Sequence, residues 1–103
     1  MKSGEAIVPR KITHEEEAEI YYLYNYGGRI RTQEQIAAFY GITQSAVSAA
    51  LVRFENVLLK VQNTQQMQKL QELGFAVSEA RLRLIHSGAI SSDAPHPQIA
   101  HEP

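Results

Sequence analysis
The chain has no cysteine, which rules out a disulfide framework and any zinc site built on thiolates. No apolar run approaches the roughly 20 residues that a membrane-spanning helix needs, and no signal-peptide pattern opens the chain. These absences lead us to expect a cytoplasmic protein with no membrane partner. Also missing are a phosphate loop, a nucleophile elbow and a glycine-rich dinucleotide turn. His14, His86, His96 and His101 lack the spacing of metal ligands. Glu15, Glu16, Glu17 and Glu19 read as a helix-start charge run rather than a paired carboxylate site. Neither an enzyme, a metal site nor a cofactor is expected. Net charge is small, −1, which argues against a purely electrostatic, histone-like binder. There is no internal repeat, and 103 residues make one domain near the size at which oligomerisation often helps.

Helical signals fill most of the chain, and the fold class they imply is all-α. Residues 1–12 read as an N-terminal arm with Pro9, Arg10 and Lys11. Thr13 caps a helix whose first turn holds Glu15, Glu16 and Glu17, favoured by the positive end of the helix dipole. Ala18, Ile20, Leu23 and Tyr24 form its expected core face, and Gly27 and Gly28 end it. The tyrosines at 21, 22, 24 and 26 suggest a base-stacking platform, but such platforms interleave basic residues, and here an acidic helix start precedes them. Core packing is the reading adopted, with Tyr22 or Tyr26 kept as a possible phosphate contact.

The informative stretch is 33–51. Thr32 followed by Gln35 is a capping box, and Ile36, Phe39 and Tyr40 recur at helical spacing as one buried stripe. Gly41 closes that short helix in a conformation that costs other residues roughly 1 kcal/mol or more. Ile42 drops toward the core, Thr43 caps the next helix, and Val47, Ala50, Leu51 and Phe54 carry the inward stripe onward. Ala37 lies at the expected crossing of the two helices. The outward face runs through Thr43, Gln44, Ser45, Ser48, Ala49 and Val52. This is the sequence form of a helix-turn-helix. An ordinary helical hairpin that packs and does nothing else is the bland alternative.

That segment, about 22 of the 103 residues, resembles the helix-turn-helix of phage repressors of the lambda repressor and Cro type. It is also similar to that of plasmid repressors of the KorA type. The resemblance implies that Gln33 contacts backbone phosphate and that Gln44, Ser45 and the polar Ser48 contact base edges. Beyond Arg53 the chain departs from the pattern, because nothing stops the helix there.

Charge distribution agrees with that reading. Residues 29–60 carry four basic and two acidic side chains and form the only net-positive third of the chain. Arg29, Arg31, Thr32, Gln33 and Arg53 are the expected phosphate contacts.

After Val47 the apolar positions run Leu51, Phe54, Leu58, Val61, a seam of about two heptads that predicts a long helix leaving the motif. The last third predicts two short helices, one from Thr64 to Leu73 ending at Gly74, the other capped by Ser78 and closed by Gly88. Val57, Leu58, Val61, Met67, Leu70, Leu73, Leu82 and Ile85 are the expected dimerisation residues. The resulting organisation is an arm (1–12), a helix-turn-helix domain (13–60), a helical dimerisation region (61–90) and a disordered tail (91–103).

The expectation is therefore a sequence-specific regulator of transcription that binds double-stranded DNA, a homodimeric repressor of the bacterial cytoplasm and nucleoid. Its recognition helix, about 44–54, would read a pseudo-palindromic operator. Two alternatives are a phage DNA-packaging subunit of the small terminase kind, forming a larger oligomer, and a helical protein-interaction module that binds no DNA. No small-molecule effector is indicated.

Overall fold
Three threonines open three of the helices. In each case the hydroxyl accepts an amide of the first turn: Glu16 N–H at 3.1 Å for Thr13, Gln35 N–H at 3.1 Å for Thr32 and Ala46 N–H at 3.0 Å for Thr43. Glu16 and Gln35 reach back to the capping residues' own amides, completing two capping boxes. The computed structural model describes residues 11–99. They form an all-α domain of four helices, with no strand among the described residues: α1 (His14–Tyr26), α2 (Gln33–Tyr40), α3 (Gln44–Thr64) and α4 (Met67–His86). No single helix among these residues is long and apolar enough to cross a membrane. The expected arm lies almost wholly outside the described residues.

Helix α1 packs against each of the other three helices, so it buries residues on more than one side. Ala18, Ile20, Tyr22 and Leu23 are buried, whereas Tyr24, expected in the core, is 42% exposed. Tyr22 takes the interior position because a helix with three neighbours needs more than one apolar stripe. Phe39 departs from its expected stripe on α2 in the same way, at 44% exposure, while Ile36 and Ala37 fill the contact with α3. The α1–α3 contact includes the Tyr21 and Phe54 rings, 4.5 Å apart between centroids.

The long helix forms as its seam predicts, and α3 runs for 21 residues. Gln65, left-handed at φ 61°, turns the chain back, and α4 folds onto both α3 and α1. The expected break at Gly74 and cap at Ser78 are corrected: α4 is one continuous helix of 20 residues. Glycine inside a helix costs roughly 1 kcal/mol. Here Leu70, Leu73, Val77, Ala80 and Leu84 stay in phase on both sides of Gly74, and their shared burial outweighs that penalty.

The disordered tail is corrected over residues 91–99. That segment lies across α1 and α4 as a strap, with Ile99 buried. Arg81, only 7% exposed, donates from Nε to the Ala94 carbonyl (3.1 Å) and from Nη2 to those of Ala94 (2.9 Å) and Ser92 (3.2 Å). Tyr22 donates its hydroxyl to the Pro95 carbonyl at 2.6 Å, and Gln98 donates its amide to the Tyr26 hydroxyl at 3.1 Å. A polar composition can order once buried donors on neighbouring helices wait for its carbonyls.

Candidate nucleic-acid interface
Gly41 ends α2 in the left-handed conformation, φ 68° and ψ 36°. Its amide and that of Ile42 return to carbonyls of the last turn, from Gly41 to Ala38 (3.4 Å) and from Ile42 to Ala37 (3.0 Å). The chain bends by 107° between α2 and α3. Paired helices that hold a reading helix in a groove cross at about 90–120°. The bend is held from inside by Ile36, Ala37, Val47 and Ala50, all buried.

On the outer side, Thr43, Gln44, Ser45 and Ala49 are exposed, Val52 is 51% exposed and Ser48 is half-buried. The Thr43 oxygen is occupied by the Ala46 amide, which leaves the hydroxyl hydrogen to donate outward. Thr32 stands in the same condition at the start of α2. Gln35 accepts the amides of both Arg31 and Thr32 at 3.1 Å, so the backbone carrying Arg31 is fixed to the helix that follows it. An open depression joins the two helix starts, lined by Tyr24, Arg31, Thr32, Gln33, Glu34 and Gln44. It brings together Arg31, Thr32 and Gln33, expected on phosphate, and Gln44, expected on bases. It also admits Tyr24 and Glu34, which no local pattern marks as interface residues. Tyr22 and Tyr26, considered for phosphate, are engaged by the strap instead.

The arginines differ in freedom. Arg29 and Arg31 are exposed and form no ion pair among the described residues. Arg53 holds Glu17 of α1, Nε to Oε2, at 2.8 Å, although half of its side chain remains exposed. The acidic run of α1 is therefore more than a solvated charge face. Glu19 accepts Arg83 of α4 at 2.7 Å on one oxygen and the Tyr40 hydroxyl of α2 at 2.5 Å on the other, tying three helices at one carboxylate. Burial, then the hydrogen bond to Glu19, pushes the Tyr40 hydroxyl far above the usual tyrosine range. That hydroxyl is a fixed donor at every physiological pH.

The expected dimerisation residues separate into two groups. Val61 and Leu70 are buried within the chain's own core, and Leu58 and Leu73 are half-buried against it. The α3–α4 contact consumes this part of the seam, so Val61 and Leu70 are corrected to core residues. Val57, Met67 and Leu82 are exposed, and Ile85 is half-buried. Leu59 and Phe75, unassigned from sequence, are more exposed still, at 56% and 66%.

Among the described residues, no group of three or more histidine or carboxylate side chains is placed to hold a metal ion. No family model, no curated protein and no solved structure matches the chain.

Proposed function
We propose that the chain is a sequence-specific regulator that binds double-stranded DNA through a helix-turn-helix made of α2 and α3. The observation that carries this reading is the polar leading edge of α3. Thr43, Gln44 and Ser45 stand exposed at its start, beyond a bend of 107° whose inner residues Ile36, Ala37, Val47 and Ala50 are buried. A helix entering the major groove meets base edges with its N-terminal residues, and glutamine there bonds adenine N6 and N7 together. Ser45 and Ser48 then reach neighbouring edges, and Ala49 or Val52 meets a thymine methyl.

Phosphate is held from the start of α2. Gln33 offers its amide, Arg29 and Arg31 are exposed cations with no ion pair among the described residues, and the helix dipole adds its positive end. Glu34 stands in the same wall and opposes phosphate, so the site depends more on base contacts than a strongly basic one would. The chain acts as a homodimer through the exposed apolar residues beyond the reading turns, Val57, Leu59 and Met67. Its operator is pseudo-palindromic, with half-sites about 34 Å apart or a multiple of that. Repression by occluding polymerase is the mechanism that this reading adopts. The setting is the bacterial cytoplasm, and neither catalysis nor a cofactor enters.

Selection from a random duplex pool tests the reading. An enriched twofold motif is expected, and absence of enrichment overturns DNA recognition. Gln44→Ala should cost ~1–3 kcal/mol at one base position and relax specificity there. Uniform weakening across all sequences would remove Gln44 from base reading. Light scattering checks the dimer, and the mass of a larger ring would exclude the proposed twofold pairing.

A further inference from the structure
On the side of α1 where the strap crosses, a half-open cleft of roughly 650 Å³ separates the Gly28–Arg29 loop from residues 88–95. That volume suits a small molecule. Ala89, Ile90, Ala94, Pro95 and Tyr26 contribute apolar surface to its lining. Hydrogen-bonding groups lie along the loop. The amides of Gly28 and Arg29 donate to no acceptor among the described residues, and the Arg29 guanidinium has no ion pair there. The Tyr26 hydroxyl accepts the Gln98 amide and keeps its own hydrogen to give. The Ser91 hydroxyl in the wall is given to Asp93, so the side-chain groups left to meet a ligand, those of Tyr26 and Arg29, are donors, and Arg29 carries a permanent positive charge. No carboxylate of the described residues lines the cleft to satisfy them.

We propose that this cleft binds a small organic carboxylate with an apolar body. The carboxylate oxygens meet the Arg29 guanidinium and the loop amides, and the apolar part lies against Ala89, Ile90 and Pro95. Arginine accepts a carboxylate through two parallel hydrogen bonds, which sets acids apart from neutral analogues of the same shape. A ligand there occupies one of the cations assigned to phosphate, so it acts as an effector that weakens operator binding. That last consequence rests on the DNA-binding reading, whereas occupancy of the cleft does not.

Amide NMR of the full chain without DNA reads occupancy directly. Phenylacetate is the probe, with phenylacetamide as neutral control and inorganic phosphate as a bare anion. Phenylacetate should shift the amides of Gly28, Arg29, Gly88, Ala89 and Ile90, with a dissociation constant of ~1 mM or tighter. Phenylacetamide, and phenylacetate with the Arg29→Gln variant, should bind about tenfold more weakly or worse. Arg29 is exposed, so this variant keeps the fold, and its unchanged spectrum elsewhere verifies that. Equal binding of the amide, equal shifts from phosphate, or no shifts at these residues would each overturn the proposal. If phenylacetate binds as expected but leaves the affinity for a selected operator unchanged, only the effector role fails.

Discussion
Glycines 27, 28 and 41 all close helices or follow them, yet the structure gives each a different reason, and alanine substitution separates them. At Gly41 a Cβ would meet nothing within 4 Å, but φ is +68°, so the cost is purely conformational. A left-handed alanine costs roughly 1–2 kcal/mol, offset in part by the reduced entropy of the unfolded chain, about 0.4–1 kcal/mol. Gly41→Ala should therefore lose about 1 kcal/mol. Gly41→Asn should lose less, because asparagine tolerates this region better.

At Gly27 the backbone is ordinary extended chain, φ −69° and ψ 151°. A Cβ there would strike the carbonyl oxygens of Ile30 and Leu23, and neither is a flexible side chain that can step aside. Gly27→Ala should lose about 2–3 kcal/mol, in the upper range of overpacking. At Gly28 a Cβ meets nothing and φ is unexceptional, so Gly28→Ala should be neutral or gain up to about 0.5 kcal/mol. Urea melts followed by circular dichroism give the ranking, and thermal melts should spread by roughly 4–8 °C per kcal/mol. If Gly41→Ala proved as harmless as Gly28→Ala, the left-handed turn that sets the 107° bend would be wrong. If Gly27→Ala were harmless, the close approach of α1 to Ile30 would be.

Glu17→Gln should free Arg53 for phosphate, tightening operator binding and steepening the salt dependence by up to about one ion. The stability cost should stay under about 1 kcal/mol because Arg53 is half exposed, and an unchanged salt slope would remove Arg53 from the phosphate contacts. Arg81→Met should cost about 2 kcal/mol by leaving the Ser92 and Ala94 carbonyls without their donor, and hydrogen exchange should show residues 91–99 losing protection first. Full protection in that variant would mean that the strap is held otherwise. Burial raises the Tyr40 and Tyr22 hydroxyls, so the folded chain keeps protons that the unfolded chain releases near pH 10. Their contribution is whole below about pH 10 and is lost as pH rises above it. Tyr40→Phe should flatten the alkaline loss of stability, and an identical pH profile would refute the assignment.

The caps and turn that shape α2 and the start of α3 were legible in the sequence because they depend on neighbours in the chain. A cap is a contact across three residues, as Thr32 with Gln35 and Thr43 with Ala46 illustrate, and the left-handed Gly41 is a local backbone property. The exposed edge at Thr43, Gln44 and Ser45 follows once Val47, Ala50 and Leu51 define the inward stripe. Helix α4 departs from its local signals where two effects compete. Gly74 is a helix breaker by propensity but sits within an in-phase apolar stripe, and the burial of Leu70 and Val77 outweighs propensity. The polar tail misled in the opposite direction, since nothing within 91–99 announces a buried Arg81 ten or more residues earlier.

From the sequence alone came the all-α class, the starts of α1, α2 and α3, the turn at Gly41 and the face that would read bases, all fixed by interactions spanning a few residues. Tertiary structure alone decided which cations are held by carboxylates, because Glu17 and Arg53 meet across 36 residues and Glu19 and Arg83 across 64. It also decided that α4 covers the expected dimer seam and that the strap closes one side of a cleft. Those outcomes depend on which helix surfaces face each other after the chain folds back at Gln65, and no local spacing encodes that choice.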